Sequence, residues 1–405
     1  MNILLNGLVA VAFGAFVLLP SLYLAFLAAV TLAARQRSSN GGSRRDPARF
    51  AILVPAHNEE VLIGPTVAGL LALDYPKDRF AVHVIADNCA DRTAAIARHA
   101  GANVHERRDP HRRGKGAALN WMIDGLASRS EPIDAFVIVD ADSELSSDFL
   151  WAMSGHMRAG ATVIQALNLV KVAVDRPLVR IRELALELNC HLRPLAHSAL
   201  GGSSGLFGNG MCLRTDVCER YPWAESSVVE DAELFLRLVR DGHRIAFATD
   251  TCVRSVMPES LRTAGAQAVR WERGKFDHLG EAVGLVRRGL VRHERSALLA
   301  GLSGLTPPFS MLALATAMFL VASAVANAAL LFSAALGALC ALLFYVLRGA
   351  ALGQIGARVL VDILLWAPLY CVWKVGVVGL AALGVGRGEW RGASRAGIHK
   401  GEAHG

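Results

Sequence analysis

Two carboxylates separated by one residue, Asp140 and Asp142, follow the apolar run Phe136-Val-Ile-Val139. In an extended chain alternate side chains share a face, so the two could point together if the strand continues through them. Convergent carboxylates make a hard oxygen site suited to Mg²⁺ or Mn²⁺. Such an ion keeps open positions for phosphate oxygens of a substrate. A solvated acidic turn is the plainer reading, because Asp-x-Asp is short and common. Three further groups stand at similar places. Asp87 follows an apolar run, Lys115 opens a helical one, and Glu59 and Glu60 follow the run ending at Val54. Glu230 and Asp231 begin an amphipathic stretch, where they could also serve only the helix dipole. A capping box with Ser227 is open to Glu230. Gln267, Arg270 and Trp271 are spaced to share one face of a helix, and Arg270 with Trp271 could be a cation–π pair.

The elements that carry these residues read as follows. Residues 49–54, 80–85 and 136–142 are apolar and β-branched, as buried strands are. A short strand lies near Val104, and others at 162–169 and 245–248. Helical segments are expected from Asn58 to about Leu73, from Asp91 to His99, from Lys115 to about Leu126, over 178–197 and over 231–240. Alternation of this kind implies a doubly wound, mostly parallel α/β sheet. Ligands of such sheets bind outside the carboxyl ends of the strands, where Asp87, Lys115, Asp140 and Asp142 fall. No G-x-G-x-x-G follows the first strand and no Walker pattern is present, so dinucleotide and P-loop readings lose support.

The chain is 53% hydrophobic, with a mean hydropathy of +0.37, above the soluble average. Residues 3–34 carry no charge, and neither do residues 297–347. Both runs exceed the roughly 20 apolar residues that span a bilayer. Arg35, Arg37, Arg44 and Arg45 follow the first run, which places residues 49–280 in the cytoplasm by the positive-inside rule. The organisation expected is an N-terminal span (1–36), a linker (37–48) and the α/β domain (49–280). A basic interfacial helix (281–296), further spans (297–386) and a basic tail (387–405) complete it. Pro307-Pro308 should break one span. Residues 358–384 hold Asp362, Pro368 and Lys374 and read as a poor span or an interfacial segment. A third span there would leave Arg387, Arg391 and Arg395 outside. The net charge of +7 needs no nucleic acid, because the basic residues are not interleaved with aromatics. Seven scattered cysteines form no C-x-x-C, which argues against zinc.

Seven motifs now stand in one order. They are Pro55-Ala-His-Asn-Glu-Glu60, Ala86-Asp-Asn-Cys-Ala-Asp91, Gly114-Lys-Gly-Ala-Ala-Leu-Asn120, Asp140-Ala-Asp142, Gly208-Asn-Gly-Met211, Glu230-Asp231 and Gln267-Ala-Val-Arg-Trp271. Over residues 48–275 the chain resembles a membrane-bound family 2 glycosyltransferase. The relatives with Gln-x-x-Arg-Trp include cellulose, chitin and hyaluronan synthases. The resemblance implies a GT-A fold and an inverting transfer from a nucleotide sugar, usually a UDP-sugar. A polysaccharide or lipid-linked molecule at the membrane would be the acceptor. It implies that Asp87 contacts the base, that Lys115 lies near the nucleotide, and that Asp140 approaches the sugar while Asp142 holds the metal. Glu59 and Glu230 would line the substrate, and Asp231 would be the general base. Gln267, Arg270 and Trp271 would line the acceptor and diphosphate region. Two departures stand out: Ala86-Asp-Asn-Cys89 replaces Asp-Asp-Gly-Ser, and Gly208-Asn-Gly lacks the cysteine of cellulose synthases.

The chemistry agrees. Negative charge builds on the leaving phosphate, which a divalent ion and Arg270 can stabilise. A carboxylate can take the acceptor's proton, and Trp271 offers a sugar ring a flat face. A nucleotidyltransferase and a noncatalytic subunit of a polysaccharide-synthesis complex are the alternatives. A partner subunit for export or synthesis is compatible with so few spans.

Overall fold

The computed structural model describes residues 2–34, 46–127, 132–171, 176–224, 229–256 and 261–385. The arginines at 35, 37, 44 and 45, the 38–43 linker, Ser227 and the arginines at 387, 391 and 395 lie outside the described residues. Helix α1 (Asn2–Phe13), a π-helical turn and α2 (Leu19–Ala33) come first. Then β1 (Phe50–Ala56), α3 (Ile63–Leu71), β2 (Phe80–Asp87), α4 (Thr93–His99), β3 (Asn103–Arg107), α5 (Lys115–Ala127) and β4 (Ala135–Ile138) alternate. β5 (Ser143–Leu145), α6 (Phe149–Arg158) and β6 (Val163–Lys171) follow. Next are α7 (Pro177–Leu186), a π-helical segment (Glu187–Leu192) and α8 (Arg193–Ala199). β7 (Met211–Arg214), α9 (Thr215–Arg220), α10 (Glu230–Arg240) and β8 (Ile245–Val256) complete the sheet region. Six helices end the described chain: α11 (Leu261–Asp277), α12 (Leu279–Arg292), α13 (Arg295–Leu305), α14 (Phe309–Val325), α15 (Ala329–Leu352) and α16 (Ala357–Ala382).

The eight strands form one sheet in the order β3-β2-β1-β4-β7-β6-β8-β5. Four of its seven pairings are parallel, and β7 runs antiparallel to both neighbours. Alternation along each strand feeds two cores, as the period of two requires. Leu53, Phe136 and Ile138 join the face covered by α5, α9 and α10. Ile52, Val54, Val137 and Val139 join the face under α3 and α6. Ala297 and Ala300 of α13 lie in the first of these cores. A third cluster packs Leu24 and Leu27 of α2, Tyr345 of α15 and Ile363 of α16 onto Leu184, Leu188 and Leu192.

Two local expectations differ from the structure. The helix after β1 begins at Ile63 rather than Asn58. Asn58 has φ 57°, outside the right-handed helix, and its Oδ1 accepts the Ala90 N–H at 2.8 Å. Strand β4 ends at Ile138, so the extended form does not reach the two aspartates. The Ser143 N–H instead donates to the Asp140 carbonyl at 3.1 Å, closing a turn over 140–143.

Among the described residues, three helices are long and apolar enough to cross a membrane: 7–33, α15 and α16. The bent pair α13 and α14, at 60°, would be a fourth, with the bend at Pro307-Pro308. Residues 357–382, expected as a poor span or an interfacial segment, form one continuous helix through Pro368 that is long and apolar enough to span.

Candidate active site

Lys115, the first residue of α5, is the centre of the site. Its Nζ donates to Asp140 Oδ1 and to the Gly208 carbonyl, both at 2.5 Å. Gly208 has φ 76°, and a Cβ there would come within 3.1 Å of Asp231 Oδ2 and 3.7 Å of Lys115 Nζ. A glycine therefore lets Asp231 of α10 approach the loop-end cluster. Burial works against the Lys115 charge, but Asp140, Glu230 and Asp231 outweigh it and raise its pKa.

At the start of α10 the helix dipole favours ionised carboxylates, but Glu230 and Asp231 are held the other way. Burial pushes the Asp231 carboxyl above its ordinary value, and Asp140 adds to this. Lys115 and the Ala232 N–H, 2.8 Å from Oδ1, oppose it. Burial, and then Asp231, push Glu230 up to about 7. Desolvation and like charge thus exceed the dipole here.

The loop 208–210 is pinned from below. The Asp140 N–H donates to Asn209 Oδ1 at 3.1 Å. Asn209 Nδ2 donates to the Ser143 and Ser255 hydroxyls, each at 2.9 Å. Gln165 Nε2 donates to the Asn209 carbonyl at 2.8 Å, and its Oε1 accepts the Phe207 N–H at 3.0 Å. Asn209, Ser143 and Gln165 are all buried. Asn209 stands in the Gly208-Asn-Gly-Met211 motif, but Ser143, Gln165 and Ser255 were not singled out from the sequence. The signal that could have found them is a polar residue amid apolar strand positions, as at Gln165.

Asp87, at the end of β2, is paired with Arg107 at 2.6 Å, with both side chains buried. Asn88 Nδ2 donates to the same Oδ1 at 3.0 Å. The other oxygen, Oδ2, is buried without a hydrogen-bond partner among the described residues. Such an acceptor suits an N–H donor from a ligand. Glu59 lies in the loop after β1, where its N–H donates to Thr93 Oγ1 at 2.8 Å. Glu60 and Asp91 tie that loop to the one after β2. Asp91 also accepts the Thr93 N–H at 3.0 Å, holding the start of α4.

Helix α11 brings Gln267, Arg270 and Trp271. Gln267 Oε1 accepts from Arg182 Nη2 of α7 at 3.1 Å. Burial lowers the pKa of Arg270, and Glu230 opposes this, so the guanidinium lies in the field of Glu230. Trp271 is 44% exposed.

Two carboxylates are available to a divalent ion. The Asp140 side chain is 41% exposed, with Lys115 on one oxygen. Asp142 is half-buried and accepts the Ser143 hydroxyl at 3.1 Å. Among the described residues no group of three or more His, Cys, Asp or Glu could hold a metal. An ion here would complete its shell from donor phosphates and water, as Mg²⁺ and Mn²⁺ do.

The profile of "Glycosyltransferase like family 2" matches residues 47–274. A probable glycosyltransferase, YdaM, of Bacillus subtilis is 27% identical over 56% of this chain and 55% of its own length. Beta-monoglucosyldiacylglycerol synthase of Trichormus variabilis is 28% identical over 56% of this chain and 48% of its own. The chain thus spans about half the length of these curated relatives. Cellulose synthase 2 of Novacetimonas hansenii is 28% identical over 62% of this chain and 16% of its own. Among solved structures, mannosyltransferase PcManGT from Pyrobaculum calidifontis, in complex with GDP-Man and Mn²⁺, matches with a TM-score of 0.57 and 18% identity. That match covers 94% of this chain and 98% of that one. The matched family and the sheet together place this chain: it belongs to glycosyltransferase family 2 and has a GT-A fold.

Proposed function

We propose that the protein transfers a sugar, with inversion, from a UDP-sugar to a hydroxyl of a polysaccharide or lipid-linked acceptor at the membrane. Within its family we assign it to the group with Gln-x-x-Arg-Trp. The observation that carries this reading is the approach of Asp231 to Lys115 and Asp140 across Gly208. It sets a base beside the loop end where a donor diphosphate belongs.

The acceptor oxygen attacks the anomeric carbon, its proton passes to Asp231, and the bond from that carbon to the phosphate oxygen breaks. One displacement with one base inverts the centre. Arg270 and Lys115 offset charge gathering on the leaving diphosphate. Asp142, with Asp140, would hold a divalent ion that neutralises the same diphosphate. The buried Oδ2 of Asp87 would accept a ring N–H of the base. Uracil and guanine both present such a donor, and GDP-Man is bound by the mannosyltransferase of similar fold. Trp271 would stack on the acceptor sugar. Glu59 would stand at the mouth of the nucleotide pocket. The catalytic domain would face the cytoplasm, with the apolar helices crossing the membrane. A reporter fused after Gly42 tests the orientation.

Membranes containing the protein, incubated with labelled UDP- and GDP-sugars, should yield one glycosylated product by mass spectrometry. A product from GDP-sugars alone would reject the UDP assignment. Chelation should abolish turnover, and Mn²⁺ or Mg²⁺ should restore it. Asp142→Ala should bind nucleoside diphosphate no better with Mn²⁺ than without it. Normal metal-dependent turnover of that variant would remove the role.

A further inference from the structure

Lys374 is the one charged residue between Asp362 and Arg387. It lies on α16, a helix long and apolar enough to span a membrane. A cation in such a helix is costly unless it is paired. Its Nζ is 2.8 Å from Glu272 Oε1, with the side chains 12% and 5% exposed. Glu272 belongs to α11, next to Trp271 and two residues after Arg270.

The surroundings make this pair a fastening rather than a local contact. Ala268 and Val269 of α11 pack with Val377 and Ala381 of α16. Arg273 Nη1 donates to the Ala381 carbonyl at 3.2 Å. On its other side α11 meets the start of α10: a Cβ on Gly274 would come within 2.5 Å of Val229 Cγ2, and Val229 precedes Glu230 and Asp231. Helix α11 is thus clamped between α16 and the chain that presents the base. Turning it by one residue would swing the Arg270–Trp271 face by ~100°.

We infer that Glu272 and Lys374 are a positioning pair, an ion pair from α16 that sets Gln267, Arg270 and Trp271 against Glu230 and Asp231. Lys275, 3.3 Å from Glu272, adds a second ammonium on the solvent side, where its side chain is 51% exposed. Lys275 follows Gly274 on α11 itself and so cannot fasten that helix to another. The inference rests on glycosyl transfer at this site and not on the donor nucleotide. A failed donor assignment is therefore seen in the wild type, and a failed fastening in the variants.

The test uses the full chain in lipid nanodiscs. Lys374→Met and Glu272→Gln should lower kcat for transfer about tenfold to a hundredfold, as a misplacement of ~1 Å can. Donor KM should stay within about twofold, because the donor loops are built elsewhere. Binding of UDP and of GDP, each with Mn²⁺, should persist by calorimetry and weaken far less than kcat falls, because Arg270 is only one of the groups facing the diphosphate. Lys374→Arg, and the exchange Glu272→Lys with Lys374→Glu, should recover most of the rate. Wild-type kcat in both single variants would overturn the inference. So would joint loss of kcat and nucleotide binding that neither Lys374→Arg nor the exchange repairs, since that marks a pair serving only stability.

Discussion

The half of the sheet from β1 to β4 and the half from β5 to β8 build their parts of the site by different means. In the first half the strands are parallel, and Val54 pairs with Val84 as Leu53 pairs with Ile138. Its loops are bonded to one another. Asn58 holds the Ala90 N–H, Asp91 holds the Glu60 N–H, and Asn88 exchanges bonds with Asp109. In the second half β7 runs against its neighbours, and the pairing of β6 with β8 is irregular between Ala166 and Leu167. The candidate side chains there come from α10 and α11, and α11 is bonded to α7 through Arg182–Gln267 and to α16 through Lys374–Glu272. A donor surface made by local bonds is coupled to its own fold. A transfer surface made by distant helices can lose rate while donor binding persists.

Asp231→Asn is the strongest way to break that distinction. It keeps the shape and much of the hydrogen bonding while removing the basic oxygen. Transfer should fall by roughly 10²–10⁴-fold if general-base catalysis is its work. Calorimetry with UDP and Mn²⁺ should show unchanged affinity. Loss of nucleotide binding along with rate would mean that the two surfaces are not separable.

Arg107→Ala makes the opposite demand. Arg107 and Asp87 are both buried, so removing the guanidinium strands a carboxylate. Breaking such a pair costs about 3–5 kcal/mol. Chemical unfolding should show that loss, and donor KM should rise with it. An Arg107→Ala variant of wild-type stability and raised KM would show that the donor surface is not tied to its fold.

Much of the donor half was legible in the sequence because its residues stand next to the elements that place them. Asp87 ends a strand, Lys115 starts a helix, and each needs only the local pattern. The turn at 140–143 was not legible, because it depends on Asn209, about seventy residues away in the chain. The antiparallel β7 was hidden for a similar reason: Met211–Arg214 is short, and its partners β4 and β6 are remote. Lys374 reads as a defect in an apolar run until Glu272 is found beside it. The raised pKa values of Glu230 and Asp231 depend on burial in the folded chain and on charges brought from other elements, which a helix-start pattern does not reveal.

Glu230→Gln should have the smallest effect and sharpens the comparison most finely. Glu230 is pushed from 4.5 to about 7 by burial first and by Asp231 second. Between those values the folded chain holds a proton that the unfolded chain releases. Stability from this group is therefore full below about pH 4.5 and is lost as pH rises through about 7. The variant should remove that decline, so its melting temperature should vary less between those limits. Asp231 must be ionised to accept a proton, and its pKa is raised too. The wild-type rate should therefore fall on acidification at a pH above the ordinary carboxylate range, through a titration shared by the pair. Removing the Glu230 carboxyl ends the shared titration and leaves Asp231 to titrate alone, with Lys115 and Asp140 still facing it. The acidic limb of kcat should then move to lower pH, with a plateau rate far above that of Asp231→Asn. An unmoved limb would show that Glu230 and Asp231 do not share their titration.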